Sequence, residues 1–216
     1  TPHPSAYQIP ASQNSTITKT LSKMTFQQEL NSWWSPKALT TFPVPEVGEK
    51  APVSSKLPLP NPNGKPTVIA FLRHCGCPFA EKTFQELRKL AGKHPEINFV
   101  AVSHSDEEAT GKWIISVGGE WDVHVVVDAE RELYAQWGLG VASAWHVLNP
   151  WSMYSVYQLG KKENIWNLPT ESGSRWQTSG SFAVDGEGTV RWTGVAKAAD
   201  SIPDFRDALK ALGIEV

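Results

Sequence analysis

Residues 67–81 read Thr67-Val-Ile-Ala-Phe-Leu-Arg-His-Cys-Gly-Cys-Pro-Phe-Ala-Glu81, and their reading decides the fold. The first six form a short, continuous apolar run, the pattern of a strand buried on both faces. Pro78 suits the first position of a helix, where its missing N–H costs nothing. Phe79, Thr83, Phe84, Leu87 and Leu90 then recur at helical spacing. A buried strand therefore hands over directly to a helix, with Cys75-Gly76-Cys77 at the junction. These are the only cysteines of the chain. A thiolate, not a thiol, is the nucleophile. A sulfur just before a helix meets free N–H groups and the positive end of the dipole, so Cys77 is expected to be a stabilised nucleophile. Arg73 and His74 add positive charge nearby, and Gly76 lets the loop bend. Cys75 has two readings. It is either a resolving thiol that attacks oxidised Cys77, or a small hydrophobe pointing into the core. His74, Cys75 and Cys77 would give a soft metal three ligands in four residues, but no distant cysteine completes a set, so no metal is expected.

Working outward, the same grammar repeats. Ile97 to Val102 is a second buried strand, Asp106 to about Val117 a helix ended by Gly118-Gly119, Val123 to Asp128 a third strand, and Glu130 to Trp137 a helix closed by Gly138. Ser181 to Asp185, a Gly186-Glu187-Gly188 turn and Thr189 to Thr193 form a hairpin. Asp200 to Leu212 is a last helix. Alternating strands and helices imply a mainly parallel sheet with helices on both faces, and the hairpin adds an antiparallel edge. Upstream, residues 40–66 carry Pro43, Pro45, Pro52, Pro58, Pro60, Pro62 and Pro66. They are expected to be extended with turns. Thr25 or Ser22 is expected to cap a helix presenting Phe26, Leu30 and Trp33 or Trp34 on one face, stopped by Ser35-Pro36. The division expected is an N-terminal arm and helix, 1–45, followed by one domain, 46–216, with an irregular insert at 141–178.

Composition narrows the function. The chain has 216 residues, 20 Lys+Arg against 22 Asp+Glu and a net charge of −2. That length suits one domain. The charge balance removes the signature of a general nucleic-acid binder. No apolar run approaches the ~18 residues of a membrane span. Two cysteines make neither a disulfide framework nor a four-cysteine zinc site. Neighbouring free thiols favour a reducing compartment, so a cytoplasmic location is expected.

Phe71 to Glu81 resembles the active-site segment of thioredoxin-fold proteins, most of all the peroxiredoxin-like branch of the alkyl hydroperoxide reductase and thiol-specific antioxidant group. Val47-Gly-Glu-Lys-Ala-Pro52 resembles the segment leading into a peroxiredoxin core, Val127-Asp128 through Tyr134-Ala-Gln-Trp-Gly-Leu139 the family's "D…YG" helix, and Ser179 to Gly188 its "GG-x-F-x-x-D-x-x-G" hairpin. The likeness covers about 45–213, and the overall wording also resembles fungal thioredoxin-like proteins. It implies a thioredoxin-like α/β fold, a central mixed sheet flanked by helices, and a thiol oxidoreductase acting without a cofactor. Cys77 would attack a hydroperoxide and become a sulfenic acid. Arg73 or Arg175 would orient the peroxide, His74 would protonate the leaving group, and Cys75 or an external thiol would complete the cycle. Four departures stand out. Ala80 replaces the second cysteine of a thioredoxin-type pair. His74 stands where peroxiredoxins carry Thr or Ser. Ser179 takes the place of their arginine near the hairpin, with Arg175 close by, and Thr178 that of the usual cis-proline.

The chain has ten tryptophans. Trp113, Trp121, Trp137 and Trp192 belong with regular elements and are expected to pack there. Trp145, Trp151, Tyr154, Tyr157, Trp166 and Trp176 crowd the insert. There they are expected to build a packing flap, a dimer surface, or an aromatic pocket for a small organic molecule such as a secondary metabolite. Pro78, Phe79, Glu81, Trp145, His146, Arg175, Trp176, Thr178 and Ser179 are the residues expected to line a substrate site. Glu81 also reads as a solvated surface charge. His104 and His124 read as hydrogen-bonded structure.

Overall fold

The computed structural model describes residues 27–34, 36, 39–148 and 150–215. Within them lie helix α1 (27–32), β1 (Thr67–Phe71), α2 (Pro78–Ala91), β2 (Asn98–Ser103), α3 (Glu107–Ser116), β3 (Val123–Val127), α4 (Glu132–Gln136), α5 (Ala144–Leu148), α6 (Pro150–Glu163), β4 (Gly180–Val184), β5 (Val190–Val195) and α7 (Phe205–Ala211). The strands form one five-stranded sheet in the order β3-β2-β1-β4-β5. β1 pairs parallel with β2 and antiparallel with β4, so the sheet is mixed with β1 at its centre.

The pleat divides β1 between two cores. Val68, Ala70 and Leu72 join Phe84 and Leu87 of α2, Trp113 of α3 and Leu209 of α7 on one face. Ile69 and Phe71 join Tyr134 and Trp137 around α4 on the other, with Leu57 and Leu59 from the proline-rich segment. That segment is extended, as expected. It runs beside β5, where Val190 N–H donates to the Glu49 carbonyl at 2.8 Å and Gly48 N–H to the Val190 carbonyl at 2.8 Å. Buried Asp128 closes the "D…YG" unit. It accepts from Leu133 N–H at 2.8 Å and pairs with Lys56 at 2.9 Å. The Tyr134 hydroxyl lies 2.7 Å from the carbonyls of both Leu72 and Val102, so it ties α4 to the ends of β1 and β2.

Three expectations change. The insert is helical over much of its length, and its pattern explains why no period emerged. The inward face of α6 carries buried Ser152 and Gly160 with half-buried Val156 and Leu159, whereas Trp151, Tyr154 and Tyr157 are exposed. Small groups face in and aromatics face out, inverting the usual binary pattern. The last helix begins at Phe205 rather than Asp200, after Pro203, with the Asp204 carboxylate capping Arg206 N–H at 3.0 Å. Finally, Leu30, Trp33 and Trp34 of the N-terminal segment are exposed or nearly so. The groups that dock α1 are polar, Glu29 and Ser32. The expected cap at Ser22 or Thr25 and the contact of Phe26 lie outside the described residues.

Candidate active site

The site grows from the end of β1. Register with β2 carries the chain to Leu72, whose N–H donates to the Val102 carbonyl at 2.9 Å. Arg73 and His74 follow, both buried, and Cys77 takes the N-cap position of α2 in extended conformation, with Pro78 at the first helical position. The loop between is clamped. Leu168 N–H donates to the Gly76 carbonyl at 2.9 Å. Gly76 has φ +95°, and a Cβ there would lie 2.9 Å from the carbonyl oxygens of both Leu168 and Pro169. Only glycine fits that close approach.

The two thiols are free and face different surroundings. Cys77 lines a cavity of about 200 Å³ whose cationic and polar side is Arg73, His74, Arg175 and Asn167. Pro78, Phe79 and Trp33 wall another side, and Val147, Met153 and Val156 of the insert helices cover it. Cys75 lines a separate cavity of about 270 Å³ with Trp113, Lys112, Leu168 and Pro169. Its sulfur lies 3.7 Å from Ser103 Oγ and 3.8 Å from Thr110 Oγ1, and its N–H donates to Ser105 Oγ at 3.1 Å. Burial pushes the Cys75 thiol's pKa up, only partly opposed by these hydroxyls.

Arg175 is fully engaged. It is ion-paired with Glu29, donates to Ser32 Oγ at 3.0 Å and Thr170 Oγ1 at 3.1 Å, and lies 4.8 Å from the centre of the Trp33 ring. Burial and the neighbouring Arg73 and Arg175 hold His74 well below its ordinary pKa, so it is neutral near pH 7. Its Nδ1 lies 3.0 Å from the Cys75 carbonyl. That oxygen only accepts, which assigns the single ring proton to Nδ1. The same Nδ1 lies 3.1 Å from Thr170 Oγ1, so the ring is held between the loop and the insert. His104, also buried, sits at a pKa of about 4 and exchanges contacts of 3.1 Å with the Ser174 carbonyl and N–H.

Of the residues expected to line a substrate site, Pro78, Phe79 and Arg175 meet at the Cys77 cavity. Ser179 lines a neighbouring cavity of about 190 Å³ that shares Arg73, Phe79 and Ala199 with it. Thr178 donates instead to the Gly140 carbonyl at 2.8 Å. Glu81 accepts from Gln85 at 3.0 Å, and burial raises its pKa. Trp145 is 72% exposed, and Trp176 packs edge-on to Trp33 and donates to its carbonyl at 2.8 Å. His146 is half-buried and does not line the cavity. The aromatic pocket expected of the insert is therefore not what covers Cys77. Val147 of α5 and Met153 and Val156 of α6 do so, and Trp33 comes from the N-terminal segment. Among the described residues, no cluster of three or more His, Cys, Asp or Glu is arranged for a metal, and no helix is long and apolar enough to cross a membrane.

The family model of the AhpC/TSA antioxidant enzymes matches residues 81–198, more than half of the chain, starting inside α2 just past Cys77. Among solved structures the chain is similar to a peroxiredoxin-like protein from Aquifex aeolicus, at 14% identity and TM-score 0.57 over 83% of this chain and 97% of that one. It is similar also to peroxiredoxin 6 of Arenicola marina, at 13% identity and TM-score 0.55 over 78% and 72% of the two chains. A thiol peroxidase from Chromobacterium violaceum matches at 14% identity and TM-score 0.52 over 82% and 91%. At these identities the likeness is one of fold, and the fold is thioredoxin-like. No curated protein matches the sequence.

Proposed function

The chain belongs to the AhpC/TSA antioxidant-enzyme family, and from that premise we propose that it is a thiol peroxidase in which Cys77 reduces an organic hydroperoxide. The observation that carries this reading is the position of Cys77. It takes the N-cap position of α2 and lines a cavity that Arg73 also lines. The free amides of the first helical turn and the cation of Arg73 give that end of the cavity a positive character, suited to a step in which negative charge develops on oxygen. The cavity, at about 200 Å³, falls below the ~300 Å³ at which pockets for drug-sized ligands begin. That supports a small substrate over a large ring system.

The chemistry balances within the site. Cys77 sulfur attacks the outer oxygen of R–O–O–H. An S–O bond forms as the O–O bond breaks, sulfur loses two electrons, and the hydroperoxide is reduced to an alcohol that takes up the proton given up by the thiol. The free amides of the first turn of α2 steady the charge that develops on the leaving oxygen. His74, neutral and bonded to the Cys75 carbonyl, holds the loop. Cys75 is a structural thiol, and an external thiol returns Cys77 to its reduced form. The test is hydroperoxide consumption with an external thiol reductant. Wild type turns over, and Cys77→Ser abolishes turnover while keeping the melting temperature. Unchanged turnover in Cys77→Ser would end the proposal.

A further inference from the structure

Arg73 is 5% exposed. Its Nη2 donates to the Arg175 carbonyl at 2.7 Å, while Nε and Nη1, equally buried, have no partner among the described residues. No carboxylate among those residues pairs with it. Glu29 is held by Arg175, and Asp200 accepts from the Ser152 and Ser155 hydroxyls at 2.8 Å each. A buried guanidinium without a counter-charge is expensive to maintain and is most simply explained by a ligand that supplies one. Local electrostatics agree. Burial, and after it the charge of Arg73, pushes the pKa of both His74 and His146 down, so neither ring adds a second positive charge beside it. The cavity that Arg73 and Cys77 line is apolar along Val147, Met153 and Val156.

We propose that the Cys77 cavity binds a small organic anion, its carboxylate on the unpartnered nitrogens of Arg73 and its hydrocarbon body against Val147, Met153 and Val156. Resting on the peroxidase reading, the substrate is then a carboxylate-bearing organic hydroperoxide. The step is the one balanced above, with R carrying the carboxylate unchanged through the reaction.

Two measurements separate this site from the reaction. In the first, alkylation of Cys77 by neutral N-ethylmaleimide is timed at constant ionic strength with 3-methylbutanoate or its amide present. The expected result is saturable protection by the carboxylate and at least about tenfold weaker protection by the amide, the size of one charge-assisted hydrogen bond. Arg73→Met removes the difference and Arg73→Lys keeps part of it. Equal protection by both compounds, protection by neither, or a difference that survives in Arg73→Met overturns the site. The wild-type comparison decides even if a variant does not fold. In the second, oxidation of Cys77 by tert-butyl hydroperoxide is compared with that by the analogue in which one methyl bears a carboxylate, and with the methyl ester of that analogue. The anion should react at least about tenfold faster than the ester. Oxidation of equal rate by all three overturns the anion site and leaves the peroxidase reading standing. Oxidation by none, with selective protection by the carboxylate intact, overturns the peroxidase reading and supports the site.

Discussion

Cys75 and Cys77 are separated by one glycine, yet they work in different surroundings. Cys77 sits at a helix start beside Arg73. Cys75 is held by the hydroxyls of Ser103 and Thr110, and burial raises its pKa. A thiol kept protonated attacks a sulfenic acid slowly. The residue-scale prediction follows. Cys75→Ala should retain hydroperoxide turnover within about twofold, because the lost packing is one small buried group. Wild type given one equivalent of hydroperoxide without reductant should gain one oxygen in intact mass. Loss of two hydrogens, dependent on Cys75, would make Cys75 the resolving thiol instead. The sequence made this residue pair visible because strand, loop and helix are contiguous. It left the role of Cys75 open, since that depends on Ser103 and Thr110, nearly thirty residues and more away and brought in by β2 and α3.

At the scale of elements, the site is a strand–helix junction pinned by the insert. Leu168 and Pro169 cross Gly76 at backbone distance, α6 covers Cys77, and Glu29 of α1 accepts from Thr170 N–H as well as pairing with Arg175. Gly76→Ala should therefore cost more than its backbone conformation alone. Gly64 is a built-in reference, with φ +72° and nothing within 4 Å of an added Cβ. Gly64→Ala is expected to cost ~1–2 kcal/mol, and Gly76→Ala ~2–4 kcal/mol, because the backbone oxygens of the clamp must also shift. Chemical denaturation measures both. Equal costs would mean that the clamp is loose. The regular elements were legible from period and punctuation, as at Pro78, Gly118-Gly119 and the Gly186-Glu187-Gly188 turn. α6 was not, because Ser152 and Gly160 lie on its inner face and Trp151, Tyr154 and Tyr157 on its outer one. Trp33, Val147 and Val156 carried no local signal either. They reach the cavity through tertiary packing alone.

At the scale of the whole molecule, two buried histidines link stability to pH. The His104 pKa falls from an ordinary 6.5 to about 4 on folding, mainly through burial, and that of His74 falls as well. The unfolded chain thus binds these protons first as pH drops. Stability contributed by the neutral rings is fully present above about pH 6.5 and is lost progressively toward pH 4. His104 alone accounts for ~3 kcal/mol across that window. The denaturant midpoint should fall steadily over it, and His104→Gln should give a shallower slope whatever its absolute stability. A midpoint that stays flat as pH falls would show that the rings are hydrated in the folded state. The strands and their alternation with helices follow from contiguous runs such as Thr67 to Leu72, which is why the fold class was readable as a whole, while the order β3-β2-β1-β4-β5 comes from the folded chain. The buried charge on Arg73 was not, since only the folded chain shows that Glu29 is spent on Arg175.

The central claim is that Cys77 is the atom that meets the hydroperoxide. The most direct measurement is intact-mass and peptide mapping after one equivalent of an organic hydroperoxide, with reductant absent. The account predicts one added oxygen, located on Cys77, formed within the mixing time of turnover and absent from Cys77→Ser. An unmodified Cys77 after full exposure, or oxygen placed elsewhere while peroxide is consumed, would contradict it.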